Sequence, residues 1–292
     1  MNDGASVLFG VGATKAGTSW LHNYLSGHPN CHFRAVKELH YFDMSTSQSQ
    51  ARQMARLEMD IAELSAQLAV ASGPKAGRLR VRVQDTQDWL AVLQARSDAG
   101  YLAYMTSGAD GRLVGDITPS YAMLPEPTLQ HMVSLTPASK VVYLMRDPVA
   151  RLWSHVRMLA SRSPKGDFAA TARGMLGQVL TAGDGGHDLT RRGDYRAALP
   201  KLMAIVPAAR LLVMFMEDLM TAPGVAQLCS FLGLSAHPAN LDRRVHEGTP
   251  LAMDADQRSA AQRLLRPQYD AVTALFPALP DAWLRNRNEA LA

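Results

Sequence analysis

Apolar residues along this chain follow two patterns that take turns. Short continuous apolar runs occur at residues 6–11, 112–116, 140–145 and 211–215. None alternates apolar with polar positions, which is the mark of strands covered on both faces of a parallel sheet. A minor strand is expected near His32-Phe33. Between the runs, apolar positions recur at helical spacing. This alternation predicts an α/β fold in three layers, with a central parallel sheet flanked by helices.

Three helices have readable starts. One begins where residues 12–19 end and carries Trp20, Leu21, Tyr24 and Leu25. A second has Asp147 as its N-cap and Pro148 at the first helical position, where a missing N–H costs nothing. Near the C-terminus, Ala261, Leu265, Tyr269, Val272 and Phe276 share one helical face, with a kink expected at Pro267. Residues 47–97 differ from the rest. Leu57, Ile61, Leu64 and Leu68 form a stripe on a long polar helix, Ser72-Gly73-Pro74 breaks it, and Trp89, Leu90 and Leu93 mark a second helix. This predicts a helical-hairpin insertion between two strands. Packing against the main body is the leading reading, ahead of a substrate lid or a homodimer contact.

Composition narrows the class. The 292 residues are 47% hydrophobic and 19% charged, as in a globular protein with a sizeable core. No Pro/Gly/Ser-rich linker divides the chain, so residues 1–292 read as a single domain. Cys31 and Cys229 form no CxxC pair, which fits a reducing compartment. The first residues lack the basic start and long apolar core of a signal peptide. Runs such as 211–216 are too short to span a bilayer. The expectation is a soluble, cytoplasmic protein.

Charge adds a location. The first 110 residues balance ten basic against ten acidic side chains, so the net +4 lies beyond them. The densest stretch holds Lys140, Arg146, Arg151, Arg157, Arg162 and Lys165 against Asp147 alone. Such a cluster suits an anionic partner, although for most of these residues a solvated helix face is the simpler expectation. The stretch is short and has few interleaved aromatics, which argues against nucleic acid.

The candidate chemistry starts at Gly12-Ala13-Thr14-Lys15-Ala16-Gly17-Thr18-Ser19. A strand, a glycine-bearing loop and a helix make a phosphate cradle, because backbone N–H groups and the helix dipole converge on one anion. Gly12 and Gly17 have the spacing of GxxxxGK[ST], but Thr18 stands where the lysine belongs and Lys15 lies inside the loop. The loop therefore fits a phosphate ester and is a poor match to an ATPase. With the alternation above, the expected fold is a P-loop-containing three-layer α/β domain.

Thr14-Lys15-Ala16-Gly17-Thr18-Ser19-Trp20-Leu21, then His28-Pro29, then Lys37-Glu38-Leu39-His40-Tyr41-Phe42 resembles the 5′-phosphosulfate segment of sulfotransferases. The likeness is closer to the bacterial and heparan-sulfate type. Tyr143-Leu144-Met145-Arg146-Asp147-Pro148, with Ser154 eight residues after Arg146, resembles that family's 3′-phosphate segment. A guanidinium at a strand end can fork onto phosphate oxygens. Gly115-Asp116-Ile117-Thr118-Pro119-Ser120-Tyr121 and the late Glu217-Asp218-Leu219 and Phe231-Leu232-Gly233-Leu234 are similar to supporting segments. Ile117 replaces a frequent lysine, and Met216 a usual tyrosine. Arg243-Arg244-Val245-His246-Glu247-Gly248 is the candidate for the loop closing over the donor.

The resemblance implies transfer of a sulfuryl group from 3′-phosphoadenosine 5′-phosphosulfate (PAPS) to a hydroxyl or amine, with 3′-phosphoadenosine 5′-phosphate (PAP) as product. It implies donor binding by Ala13, Thr14, Lys15, Ala16, Gly17, Thr18, Ser19, Trp20, Arg146 and Ser154, with Arg244 and Gly248 from the late loop. Lys15 would meet the leaving group. Glu38 matches the general base, and His40 is its rival, since both have ordinary pKa values that permit proton uptake near neutrality. No metal is expected, because His28, Cys31 and His32 flank a turn without zinc spacing. A small-molecule, saccharide or lipid acceptor remains open, as does peptide tyrosine. The alternatives are a P-loop kinase or NTPase, with Asp116 as its magnesium acid, and a non-catalytic nucleotide-binding protein.

Overall fold

The computed structural model describes residues 6–163, 166–241 and 248–289. Its elements run β1 (Val7–Gly12), α1 (Thr18–Ser26), β2 (Cys31–His32), α2 (Ser47–Ala69), α3 (Gly73–Ala95), α4 (Asp98–Thr106) and β3 (Leu113–Ile117). After a 3-10 turn at Pro119–Met123 come α5 (Glu126–Ser134), β4 (Lys140–Met145), α6 (Pro148–Ala160), α7 (Phe168–Ala182), α8 (Asp188–Arg191) and α9 (Tyr195–Ile205). The chain continues through β5 (Leu211–Phe215), α10 (Met216–Leu219), α11 (Ala222–Leu232), α12 (Ala255–Leu275) and α13 (Asp281–Glu289).

The five strands form one sheet in the order β2-β3-β1-β4-β5, and every pairing is parallel. Continuous apolar composition explains the arrangement. All six residues of β1 are buried, as are Val141 to Met145 of β4. A strand with no polar side to show water needs helices on both faces. The buried apolar residues form one cluster, reaching from Leu8 and Phe9 in the sheet to Tyr269 and Trp283 at the C-terminus.

The order also places the functional end. From β1 the chain crosses to β2 and β3 on one side, then returns past β1 to β4 and β5. The carboxyl ends of β1 and β4 thus lie side by side where the crossovers change direction, the place where open parallel sheets offer a crevice. The Ala13 N–H donates to the Leu144 carbonyl at 2.7 Å and ties the two ends together.

The hairpin of residues 47–97 is present as α2 and α3. Thr46 caps α2 with a reciprocal capping box. The Ser72-Gly73-Pro74 break is also the start of α3, with Gly73 and Pro74 in its first turn. At its base the hairpin is packed: Trp89 and Leu93 are fully buried, and Trp89 meets Tyr101 and Tyr104. Toward the tip, only Leu64 and Leu79 are buried.

α12 is one continuous helix with Pro267 inside it. One expectation is corrected. The basic stretch is not a solvated helix face: Arg151 is 1% exposed, and Lys140, Arg146 and Arg157 are half-buried. Lys140 donates to the Phe231 carbonyl at 2.6 Å. Lys165 lies outside the described residues. No described helix is long and apolar enough to cross a membrane.

Candidate active site

The loop between β1 and α1 turns through two left-handed residues, Lys15 (φ 69°) and Gly17 (φ 95°). Gly17 serves as the N-cap of α1 without a side-chain cap, leaving the helix's first N–H groups open to a ligand. A Cβ at Gly17 would stand 3.0 Å from Met216 Cγ, so both backbone conformation and space require glycine there. Met216, which replaces the family's tyrosine, thus packs beneath the loop.

Lys15 is the centre of a cationic cluster. Its ammonium is held below the usual lysine range by burial, then by the nearby charges of Arg146, Arg162, Arg157 and Lys37. Its closest polar neighbour is Met158 Sδ at 3.7 Å. Arg146 ends β4, and its Nη1 faces the Lys15 carbonyl at 3.4 Å. Burial pulls this guanidinium down, against the opposing pull of Glu217 and Asp147. Among the described residues, no carboxylate comes within ion-pair distance of Lys15 or Arg146. Two half-buried cations held side by side without an ion-pair partner among the described residues form a donor set suited to an anion.

The Arg146 turn is firmly held. Tyr195 Oη donates to the Arg146 carbonyl at 2.7 Å and accepts from its N–H at 3.1 Å. Asp147 caps α6 through the Ala150 N–H and accepts from Tyr269 Oη at 2.6 Å and Asn286 Nδ2 at 2.8 Å. Glu217 accepts from the Asp147 N–H at 3.3 Å and from Trp283 Nε1 at 3.2 Å. α12 and α13 therefore brace the turn from behind. Ser154 lies half-buried on α6, and its hydroxyl has no hydrogen-bond partner among the described residues. Arg151 pairs with no carboxylate; it is packed against Gly193 and donates to the Leu189 carbonyl at 2.8 Å.

The second wall is the loop from Lys37 to Asp43. Glu38 (φ 59°) and His40 (φ 55°) both take the left-handed conformation. For a non-glycine residue this costs about 1–3 kcal/mol, so the surroundings must enforce it. They do so through three successive backbone N–H groups. The N–H groups of Leu39, His40 and Tyr41 donate to Asp116 Oδ1, Thr118 Oγ1 and Tyr121 Oη at 3.4, 3.4 and 2.9 Å. Leu39 and Tyr41 are buried, while Glu38 and His40 keep 37% and 25% of their side chains exposed. Val36 is tied to the hairpin by its N–H, 2.9 Å from Asp85 Oδ2, and Asp85 also pairs with Arg34.

Glu38 Oε1 lies 3.1 Å from Lys37 Nζ, and Lys37 donates to Ser19 Oγ at 2.7 Å. The base loop is thereby linked to the start of α1. His40 Nε2 is 3.9 Å from Glu38 Oε2, and His40 Nδ1 is 2.8 Å from Asp43 Oδ2. Burial alone would lower His40, but the Asp43 hydrogen bond and charge, with Glu38 and Asp116, outweigh it and hold the imidazole above its usual value.

The structure thus brings Lys15, the 13–19 loop, Arg146, Glu38 and His40 to one end of the sheet. Trp20, in the first turn of α1, is stacked on Tyr24 and donates to the Asn240 carbonyl at 3.2 Å. Arg244 lies outside the described residues, and Gly248 is exposed on a left-handed turn. Lys37, Asp43 and Ser120 were not singled out from the sequence. An acid three residues after His40 was the available signal for Asp43. The magnesium role for Asp116 fails, because both carboxylate oxygens are already committed to Thr118, Tyr101, Tyr121 and the Leu39 N–H. A groove of about 550 Å³ lined by Asn30, Arg112 and Ser235 lies at the opposite, amino-terminal edge of the sheet and takes no part.

The arrangement has the β1 loop and Arg146 side by side at the carboxyl end of the sheet. The profile described as Sulfotransferase family matches residues 8–238. The chain belongs to the sulfotransferase family. Its fold is similar to that of a sulfotransferase from Alicyclobacillus acidocaldarius, at 20% identity and a TM-score of 0.61, over 95% of this chain and 98% of that one. The sulfotransferase domain from the curacin biosynthetic pathway matches at 19% identity and a TM-score of 0.45, over 80% of this chain and 76% of that one. The sulfotransferase domain from the Synechococcus PCC 7002 olefin synthase matches at 18% identity and a TM-score of 0.45, over 94% and 95%. No curated protein matches the sequence.

Proposed function

We propose that this sulfotransferase takes its sulfuryl group from PAPS and delivers it to a hydroxyl or amine acceptor. The observation that carries the reading is the pairing of Lys15 and Arg146 across the β1–β4 crevice, both cationic and both without a carboxylate. A donor with separate 5′ and 3′ phosphates matches two such anchors. PAPS supplies an activated sulfur–oxygen bond whose cleavage leaves PAP.

The residues divide the work. The N–H groups at the start of α1 and Lys15 bind the 5′ end and balance the charge that builds on the leaving phosphate. Arg146 and the free hydroxyl of Ser154 bind the 3′-phosphate. Glu38 takes the acceptor proton as the acceptor's bond to sulfur forms. Holding the partners in line supplies a further share of the rate.

Titration calorimetry of PAP against ATP, with and without Mg²⁺, tests the donor. PAP should bind at least tenfold more tightly than ATP, with no need for Mg²⁺. A preference for ATP, or a requirement for the metal, would overturn the reading.

A further inference from the structure

Asp43 and Ser120 have no role in the scheme above, yet their geometry fixes the state of His40. His40 Nδ1 lies 2.8 Å from Asp43 Oδ2, and Ser120 Oγ donates to the same oxygen at 2.5 Å. Ser120 itself is only 6% exposed and is anchored in the turn after β3. An ionised carboxylate has no proton to give, so the imidazole must be the donor at Nδ1. Asp43 is kept ionised: burial would raise it, but His40 and Ser120 outweigh that and hold it below the usual carboxylate range. A neutral His40 then carries its one proton on Nδ1 and its lone pair on Nε2. Nε2 is the ring atom 3.9 Å from Glu38 Oε2.

We propose that Asp43 and Ser120 are positioning residues that lock His40 with Nδ1 protonated, so that Nε2 relays to solvent the proton Glu38 takes from the acceptor. The proposal rests on the sulfuryl-transfer reading. In the first step the acceptor O–H or N–H bond breaks and its proton joins the Glu38 carboxylate. In the second, one water bridging the 3.9 Å gap takes the Glu38 proton as it gives one of its own to Nε2, so the Glu38 O–H bond breaks, the Nε2–H bond forms and the water is regenerated, giving an imidazolium whose Nδ1–H still faces Asp43. The imidazolium then releases the Nε2 proton to water, and Glu38 is again a carboxylate. One proton enters and one leaves per turnover. Asp43 stays ionised throughout, a division of labour shared by other carboxylate–imidazole pairs.

The relay requires a neutral His40, so kcat should fall as pH drops through the raised His40 value. The charges facing His40 are Asp43 on its own loop, Glu38 beside Nε2, and Asp116 from β3, with Lys37 paired to Glu38. Asp43→Asn removes the hydrogen bond and charge that raise His40 most, and its amide can donate to Nδ1 and invert the tautomer.

Two measurements on the full chain decide the matter. Nitrogen NMR of histidine-labelled protein reads the tautomer directly and needs no substrate. Neutral His40 should be protonated on Nδ1 in the wild type and on Nε2 in Asp43→Asn. Transfer of radiolabelled sulfate from PAPS to p-nitrophenol, alkyl alcohols and amino sugars reads the relay. Asp43→Asn should lower plateau kcat by roughly 10- to 100-fold and shift its acid limb to lower pH, with PAP affinity within about twofold. Asp43→Glu, which restores the carboxylate, should recover the tautomer and part of the rate. A wild-type His40 protonated on Nε2 overturns the proposal, as does an Asp43→Asn enzyme with unchanged plateau and limb. Transfer by a wild type with the wrong tautomer overturns the relay alone. A correct tautomer with no sulfate transfer to any probe overturns the proposed function, and the relay with it.

Discussion

Replacing Arg146 by alanine separates a binding residue from a structural one, because the two roles predict opposite signs. Arg146 carries a half-buried charge, and among the described residues no carboxylate lies in ion-pair range of it. Its acidic neighbours lose a longer-range attraction when it goes, but keep every hydrogen bond. Asp147 is satisfied by Ala150, Tyr269 and Asn286, and Glu217 by Trp283 and the Asp147 N–H. The truncation therefore orphans no buried acid, the event that makes broken ion pairs cost about 3–5 kcal/mol. It also removes a desolvated cation from beside Lys15. The free protein should lose almost no stability, and its Tm should stay within ~3 °C of the wild type or rise.

Binding should move the other way. A hydrogen bond to a charged group contributes about 1.5–3 kcal/mol, which corresponds to roughly a 10- to 150-fold loss of PAP affinity. Adenosine 5′-phosphosulfate lacks the 3′-phosphate and should lose less than about threefold under the same 1.4 kcal/mol-per-decade conversion. Calorimetry with both ligands, paired with thermal melts of the free protein, gives the two affinity losses and the Tm shift. Equal losses for the two ligands would refute the 3′-phosphate assignment. A large drop in Tm with unchanged PAP affinity would make Arg146 a structural residue.

Glu38→Gln should lower kcat by about 10²- to 10⁴-fold with PAP affinity nearly unchanged, read by steady-state kinetics and calorimetry, since the amide cannot take the proton. Unimpaired turnover would exclude Glu38 as the base. Asp116 is held above the usual carboxylate range by burial, which outweighs the hydroxyls of Thr118, Tyr121 and Tyr101 and the Leu39 N–H. Its folded form thus binds a proton more readily than the unfolded chain, so its contribution is fully present below about pH 4 and declines as pH rises through the raised value. The denaturant-measured stability of the wild type relative to Asp116→Asn should fall over that window and then level off; a rise would contradict the assignment. Asp85→Ala should cost about 2–4 kcal/mol in urea unfolding, because it strips the buried partner of Arg34 and of the Val36 N–H. It should also lower kcat through the base loop, and intact kcat would show that the hairpin does not brace Glu38.

The strands and the phosphate loop were legible because their signals are local. The apolar runs at 140–145 and 211–215 coincide with β4 and β5, and Pro148 after Asp147 opens α6 as its chemistry dictates. The candidate base Glu38 was legible only through the Lys37-Glu38 motif, since left-handed φ at Glu38 and His40 has no signature in residues that are not glycine. What imposes it lies 78 to 80 residues away, in Thr118 and Tyr121. The brace on Arg146 was equally hidden. Tyr269 read as one more apolar position on a helical face, and its hydroxyl on Asp147 depends on α12 crossing α6. Packing of Leu265, Tyr269 and Val272 keeps α12 one helix on both sides of Pro267, where local preference alone would end it.

The two halves of the site are supported by different parts of the chain. β3, its following turn and the hairpin hold Glu38 and His40. α9, α10, α12 and α13 hold Arg146. The Lys37–Ser19 hydrogen bond on one side and the Arg146–Lys15 contact on the other meet at the 13–19 loop, and Lys201 of α9 reaches the Leu124 carbonyl just after the β3 turn. Substitutions that share no partners act nearly independently, whereas those in one network couple by about 0.5–3 kcal/mol. Changes behind Glu38 therefore fall on kcat, and changes behind Arg146 fall on donor affinity. Lys15 alone belongs to both halves. In the proposed scheme it binds the donor in the ground state and faces the phosphate that gains charge as sulfur departs. A loss at Lys15 must appear in affinity and in turnover together, which is how the centre of the site differs from its two walls.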